Sequence, residues 1–503
     1  MSRIWPSWKN TSTLGGYFQG RMWTEGATGH QRKLINPRTG QKLSVTIQDT
    51  TVNQVYSMVS FSRQAQQTWA SFSSSVRRDM MLALAQATED HKQELTHLEI
   101  LQTGKPFSDA FGEVQETINC LRYFAGYADK PRGISLTDYD GMEGLHMTTQ
   151  LEPIGVCGLI TSFNYPLMLT GWKLAPALAA GNSVIIKPAP QTPLTTLALA
   201  DLAKNILPMD LVQVVTGGLE VGQAIVDVAE KTSFTGSTPA GQAIMRQAAD
   251  RLQPLTLECG GKNTVIVDQD ADLSKAAYHI AQGAFSNAGQ NCCAVSRVLV
   301  HSSIHAAFLE HLKVETKRWR PVINDEEHQT TEIDSSSSYY YYGPLIDQQQ
   351  FDRVRHYLDH STYTPLFRDQ QSTLSSTTAG TTKGYYVSPT VYDGVDDMDS
   401  LAQEEIFGPV LSVLRPFDTI QEAIERTNGT TPFGLAAGVF SNRYSTAHSI
   451  ASKLQAGIVW VNTYNMIPPM VPFGGRKLSG FGKDLGQNAL YEFSFTKSIL
   501  HSI

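Results

Sequence analysis

The sequence predicts an α/β protein of two domains, each a parallel sheet with helices on both faces. Beyond Gly155, short apolar strands alternate with helical segments: Gly155 to Thr161, a helix from Leu167 to Ala180, Ser183 to Lys187, a helix from Thr192 to Ile206, and Val212 to Val215. That rhythm is the mark of strands buried on both faces by crossover helices. A second series opens after Gly261 with Thr264 to Val267, a helix from Leu273 to Phe285, Arg297 to Val300 and a helix from Ile304 to Arg318, and it closes near Gly457 to Asn462.

Taken in order, the first apolar residues, Leu14, Tyr17, Phe18 and Trp23 among Gly15, Gly16 and Gly20, read as an early strand and turn. Arg3, Lys9 and Arg21 precede the first acid, Glu25, a weak likeness to a mitochondrial leader, but the early strand leaves little room for one. From Val52 to Leu101 the period is helical. Met81, Leu84 and Ala85 share one face, then Leu95, Leu98 and Leu101, with Gly104-Lys105-Pro106 as the stop. Ser335 to Tyr342, four serines then four tyrosines, interrupts the second series as low complexity and reads as a surface insertion.

Composition narrows the function classes. The 503 residues carry 40 Lys and Arg against 47 Asp and Glu, a net charge of -7 without basic blocks, which argues against nucleic acid as a partner. No run of ~18 apolar residues offers a membrane span. Five cysteines, unevenly spaced and without a Cys-x-x-Cys pair, supply neither a disulfide framework nor a zinc site, so no metal is expected. A reducing compartment is expected, the cytoplasm before the mitochondrion. The terminal His501-Ser502-Ile503 is not a peroxisomal address of the Ser-Lys-Leu type.

Cys292 and Cys293 are the one adjacent pair of cysteines, following Phe285-Ser286-Asn287-Ala288-Gly289-Gln290-Asn291. A thiolate is a strong nucleophile, but near pKa ~8.5 a free thiol is only slightly ionised at neutral pH, so its surroundings are expected to help. Gly289 breaks the preceding helix and places Cys292 in a loop whose backbone N–H groups can face the sulfur. Such a pair also serves as plain core filler.

Asn164, in Phe163-Asn164-Tyr165-Pro166, stands at the carboxyl end of a strand, where open α/β sheets bind ligands. Its amide either donates to an oxyanion or caps the next helix. Lys187 ends the following strand, placed for ribose or phosphate or simply solvated. Gly217-Gly218 follows a third strand. Phe234-Thr235-Gly236-Ser237-Thr238-Pro239-Ala240-Gly241 forms a turn opening a helix with free N–H groups for a pyrophosphate, although it is not the Gly-x-Gly-x-x-Gly fingerprint. Glu258, in Leu255-Thr256-Leu257-Glu258-Cys259-Gly260-Gly261-Lys262, closes an apolar strand. It is either a general base with a pKa raised by desolvation or the ion-pair partner of Lys262.

In this order, with Glu258 and Cys292 34 residues apart and with Glu405-Ile406-Phe407-Gly408-Pro409 and Pro472-Phe473-Gly474-Gly475 downstream, the set resembles the aldehyde dehydrogenase superfamily from about Phe18 to Lys497. The resemblance implies an aldehyde dehydrogenase-like fold with a Rossmann-like cofactor domain (1–130 and 151–260), a catalytic domain (261–462) and oligomerisation segments (131–150 and 485–503). It implies Cys292 as nucleophile, Asn164 and the Cys292 backbone N–H as oxyanion donors, and Glu258 as the base that hydrolyses a thioester to the acid. Branches that pass the acyl group to coenzyme A typically lack this base. Cys293 matches a variable neighbour.

The same resemblance places the cofactor against Thr161, Phe163, Lys187, Pro190, Gly218, Phe234, Gly236, Ser237, Gly241, Glu405 and Phe407. Pro190 stands where many NAD-preferring members have a glutamate that repels a 2′-phosphate, so NAD is expected with NADP admitted. The implied substrate tunnel is Tyr165, Leu169, Trp172, Ser286, Ile467 and Phe473. Tyr165 and Trp172 are similar to the aromatic box of betaine aldehyde and trimethylaminobutyraldehyde dehydrogenases, but Ser286 and Phe473 depart from it, which favours an apolar aldehyde over a quaternary ammonium. A homodimer or homotetramer is implied. The other function classes, a binding or structural protein of this fold and a cofactor-free esterase using Cys292, leave the intact nucleophile, base and cofactor residues unexplained.

Overall fold

The computed structural model describes residues 5–8, 11–23, 30–130, 133–139, 142–322, 339–368 and 384–502. Its first large sheet has eight strands in the order Gly480–Phe481, Leu255–Glu258, Lys231–Thr235, Val156–Ile160, Ser183–Lys187, Val212–Val214, Tyr17–Phe18, Arg21–Met22. The five from Leu255–Glu258 to Val212–Val214 run parallel. Most of their side chains are buried on both faces, as the unbroken apolar runs require.

The second sheet has seven strands, Pro365–Arg368, Thr390–Val395, Val410–Leu414, Val295–Val300, Asn263–Val267, Ala436–Phe440 and Ile458–Val461, parallel except at the Pro365–Arg368 edge. Both sheets set the carboxyl ends of their strands beside one cavity. The α/β class and its two doubly wound sheets stand as the alternation predicted. Ser183–Lys187 and the helix Leu273–Phe285 fall on their expected bounds, while the helix after Pro190 is shorter than expected, Leu194–Ala203.

The helical stretch from Val52 divides into Val52–Ser71, Ser74–Asp90 and Lys92–Thr103. Thr51 opens the first with a reciprocal capping box to Gln54, which satisfies two N-terminal N–H groups that would otherwise lack partners. Met81, Leu84, Ala85, Leu95 and Leu98 are buried on the expected face.

One reading of the chain needs amendment, and two further elements lie outside what the sequence foretold. Tyr340–Tyr342 is no surface loop: it pairs in parallel with Trp319–Pro321, and Tyr342 is buried, because aromatic residues pack well on a pleated surface. The serines at 335–338 lie outside the described residues. The segment 485–503 is two things: Gly486–Glu492 is a helix burying Ala489 and Leu490 in the main core, and only Ser494–Ser502 is strand. Finally the chain after Val461 returns to the first sheet, where Gly480–Phe481 pairs with Leu255–Glu258.

A third sheet is antiparallel, Ser494–Ser502 against Met142–Pro153 against Ser135–Tyr139. It joins the two segments that sequence placed together. Leu136, Phe495 and Leu500 on it, and Ile134 beside it, are exposed. Among the described residues no helix is long and apolar enough to cross a membrane, and no group of three or more His, Cys, Asp or Glu could hold a metal.

Candidate active site

A cavity of about 1110 Å³ between the two large sheets is lined by Asn164, Glu258, Cys292, Glu405 and Phe407 together with Phe163, Tyr165, Leu169, Trp172, Gly236, Ser237, Ile467 and Phe473. Residues as far apart in the chain as 163 and 473 meet because each stands at or just beyond the end of a strand or helix facing the same gap.

The nucleophile loop is held by an unusual backbone. After the helix Leu273–Phe285, Asn287, Ala288 and Gly289 all have left-handed φ values, 53°, 55° and 70°. The first two carry side chains, a conformation costing ~1–2 kcal/mol per residue. Asn287 offsets this by donating from Nδ2 to the carbonyls of Asn164 (3.0 Å) and Gln290 (3.1 Å). At Gly289 a Cβ would lie 2.2 Å from the Gly408 carbonyl oxygen, so only glycine lets the two loops close.

The two thiols separate cleanly. Cys292 is partly exposed and lines the cavity, its Sγ 3.9 Å from Asn291 Oδ1. Cys293 is buried; its thiol donates to Asn291 Oδ1 and Asn465 Oδ1, each at 3.2 Å, and its carbonyl accepts from the Tyr464 hydroxyl at 2.9 Å. The expectation that the surroundings favour the thiolate is overturned. The Cys292 pKa is raised well above the ordinary range, first by hydrogen bonding with the Cys293 thiol, then by desolvation, then by the Cys293, Glu258 and Glu405 charges.

Asn164 is buried, its Oδ1 accepting from the Ser162 hydroxyl at 2.6 Å and its Nδ2 donating to the Gln290 carbonyl at 3.0 Å. The amide makes no cap to the following helix, which begins at Pro166 without a side-chain cap. Among the described residues its second N–H has no acceptor, and Asn164 lines the cavity. Glu258 is 3% exposed, and neither carboxylate oxygen has a hydrogen-bond partner among the described residues. Its pKa is pushed well up, mainly by desolvation and next by the Asp484 charge. No ion pair joins it to Lys262, whose own Nζ is buried without a partner among the described residues.

Glu405 approaches through Gly260, where a Cβ would meet Oε2 at 2.1 Å, and accepts from the Gly261 N–H at 3.0 Å. Burial lifts its carboxyl to about 7. Phe407 has φ 59°, held by the Gln350 amide, which donates to its carbonyl at 2.9 Å; its ring meets Phe163 edge on at 5.8 Å.

Of the other cofactor candidates, Thr161, Lys187, Pro190, Gly218, Phe234 and Gly241 lie off the cavity wall. Lys187 is buried, with Nζ donating to the Pro188 carbonyl at 3.3 Å and its pKa lowered to about 8, first by desolvation and next by Arg32. Thr161 Oγ1, and Thr235 Oγ1 on the wall itself, are buried without partners among the described residues. Gly218 stands at the N-terminal end of Leu219–Val228 and Ser237 at that of Thr238–Ala249, neither spending a side chain on a cap. These donors are of the kind that would hold a phosphorylated cofactor. Phe234 and Gly241 support the Gly236 turn from behind, Gly241 being packed on the Cys259 sulfur. Ser286 caps the end of Leu273–Phe285 and is not part of the lining.

Some wall residues escaped the sequence reading. Asn465, Met466 and Asp484 line the cavity, and Lys173 behind it binds Asp484 at 2.7 Å and Ser233 at 3.0 Å while fully buried. A lone lysine within the apolar run Leu167 to Ala180 was the available signal, since a buried charge demands a partner.

Residues 23–499 match the aldehyde dehydrogenase family. The chain is 37% identical over 499 residues to an aldehyde dehydrogenase of Aspergillus niger, covering 98% of this chain and 95% of that protein. It is 38% identical over 486 residues to retinaldehyde dehydrogenase 3 of Homo sapiens, covering 95% and 91%. Among solved structures, an aldehyde dehydrogenase of Bacillus cereus in complex with NAD+ superposes with TM-score 0.88 at 35% identity, covering 98% of this chain and 97% of that one. A betaine aldehyde dehydrogenase of Staphylococcus aureus in complex with NAD+ has TM-score 0.88 at 31% identity, covering 100% and 96%.

Proposed function

The chain belongs to the aldehyde dehydrogenase family, and from that premise we propose that it oxidises an apolar aldehyde to the carboxylic acid through a covalent intermediate on Cys292. The observation that carries this reading is the meeting in one cavity of a partly exposed thiol and a buried carboxylate whose oxygens are both unpartnered among the described residues. The free donors from Thr161 to Ser237, with Glu405 and Phe407, support a nicotinamide dinucleotide as cofactor, NAD or NADP, held by residues 1–130 and 151–260. When bound, its nicotinamide ring accepts the hydride.

The Cys292 thiolate adds to the aldehyde carbon, and the carbonyl π pair moves to oxygen. The second N–H of Asn164 and the Cys292 backbone N–H donate to that oxyanion. Loss of hydride from the carbon leaves a thioester on Cys292. Glu258, made a stronger base than an exposed carboxylate by the burial that raises its pKa, then removes a proton from water. Hydroxide adds to the thioester carbon, the C–S bond breaks and the acid departs.

The substrate wall supports an apolar aldehyde over a quaternary ammonium. The Lys105 ammonium lies 4.2 Å from the Tyr165 ring centre, and Trp172 packs against Phe473 at 5.4 Å. One Tyr165 face therefore already carries a cation. A single cation contact to an aromatic face contributes ~0.5–2 kcal/mol. A short alkyl chain at ~0.8 kcal/mol per buried CH2 exceeds that. Steady-state kcat/KM is expected to be higher for hexanal than for betaine aldehyde by about tenfold or more, ~1.4 kcal/mol. A preference for the cation would overturn the ranking.

The third sheet, with Leu136, Phe495 and Leu500 exposed on it and Ile134 beside it, supports a homo-oligomer formed through 131–150 and 494–502. Light scattering is expected to give a dimer or tetramer; a monomer at micromolar concentration would refute it.

A further inference from the structure

Two adjacent thiols border one cavity, yet only Cys292 is partly exposed; Cys293 is 1% exposed. A cysteine side chain turns about one bond among three staggered positions, so something must keep the second sulfur where it is. Two side-chain amides meet it. Asn291 Oδ1 and Asn465 Oδ1 each lie 3.2 Å from the Cys293 sulfur as acceptors of its proton, and Asn291 Nδ2 donates to Asn465 Oδ1 at 3.4 Å. The three side chains thus close a ring of contacts. Both amides line the cavity, and Asn291 is buried.

Other groups already hold the backbone of this loop. The Cys293 carbonyl accepts from the Tyr464 hydroxyl at 2.9 Å, and Asn263 Nδ2 donates to the Cys292 and Ala294 carbonyls at 2.8 Å each. What Asn291 and Asn465 add is a hold on the sulfur. Asn291 Oδ1 also accepts from the Cys293 N–H at 3.2 Å, which fixes the amide against the residue whose thiol it engages. The same oxygen is 3.9 Å from Cys292 Sγ, so it grips the second thiol more closely than the first. Asn465 reaches its place with φ 62°, a conformation that asparagine adopts more readily than most residues with side chains.

Resting on the reading of Cys292 as nucleophile, we propose that Asn291 and Asn465 are positioning residues that hold the Cys293 thiol out of reach of electrophiles in the cavity and so reserve the reaction for Cys292.

Iodoacetamide, a small electrophile, tests this in the Cys292→Ala protein, where Cys293 is what remains of the pair and its alkylation is followed by mass spectrometry of its peptide. The rate is read relative to those of Cys120 and Cys157, both buried, so that a general loosening of the fold cancels. Adding Asn291→Ala is expected to raise the relative Cys293 rate by about fivefold or more, the ratio that loss of one ordinary hydrogen bond gives. Asn291→Asp keeps an oxygen acceptor in place and is expected to bring no rise above about twofold. Asn465→Gly, which accommodates the positive φ, is expected to act as Asn291→Ala does and carries the test if the first variant does not fold. No rise in either truncation, or an equal rise in Asn291→Ala and Asn291→Asp, overturns the positioning role. Aldehyde oxidation persisting in Cys292→Ala overturns the nucleophile reading, and this inference with it.

Discussion

Cys292→Ala is expected to lower aldehyde oxidation by roughly 10⁴-fold or more, since removal of a covalent nucleophile leaves only binding and oxyanion contacts. Dinucleotide binding, measured by calorimetry, should persist. Cys293→Ala should retain substantial turnover, and it carries a second expectation. The Cys293 thiol is the leading cause of the raised Cys292 pKa, so its removal eases ionisation of Cys292. In the wild type the thiolate fraction grows as pH rises, giving a kcat/KM profile that climbs from neutral into alkaline pH. In Cys293→Ala that limb should move to lower pH. Full activity in Cys292→Ala together with loss in Cys293→Ala would reassign the nucleophile.

Glu258→Gln is expected to slow turnover by ~10²–10⁴-fold, the usual contribution of a positioned base. Because the block falls after hydride transfer, rapid mixing should give about one equivalent of reduced cofactor per site and then a stall. Turnover at the wild-type rate would place the base elsewhere. The same substitution should alter stability in a direction fixed by linkage. Above the ordinary carboxyl pKa of ~4.3 the unfolded chain has released this proton, while folded Glu258, with its pKa pushed well up, still holds it. Glu258 therefore takes stability away as pH rises from about 5, and the amide of the variant, which does not titrate, would remove its share of the slope, while the raised Glu99, Asp109 and Glu405 carboxyls keep theirs. Melting temperatures of both proteins at pH values of about 5 and about 8 would report it; a variant that loses as much stability as the wild type over that interval would count against a desolvated carboxyl.

Local chemistry made much of this legible. The strand Ser183–Lys187 and helix Leu273–Phe285 are set by unbroken apolar runs and a glycine stop, features carried by neighbouring residues. Asn164, Glu258 and Cys292 were legible as an ordered set, and they share one cavity. What escaped depends on contacts distant in the chain or on exact geometry. Arg32 meets Pro190 only because an N-terminal hairpin folds over the first sheet. The sign of the Cys292 shift depends on where its neighbour's thiol points, which no spacing reveals. Ser286 stands at the C-cap of Leu273–Phe285 and off the cavity lining, a placement that its position in the sequence does not reveal. Tyr342 was misread because a run of identical residues masks the alternation that marks a strand.

The close approach of Gly289 to Gly408 has a bearing on redesign. The loop bearing the thiol and the loop bearing Phe407 are latched without any side chain between them, and Gln350 fastens the second from behind. They behave as one mechanical part, so an engineer gains nothing by altering either alone. On the opposite wall, Ile467 follows Tyr464 and Asn465, which are bonded to Cys293, whereas Met168, Trp172 and Phe473 make no such contact with the nucleophile loop among the described residues. Adaptation of this scaffold to bulkier or slimmer aldehydes therefore belongs there, where a change of shape leaves the reacting sulfur undisturbed.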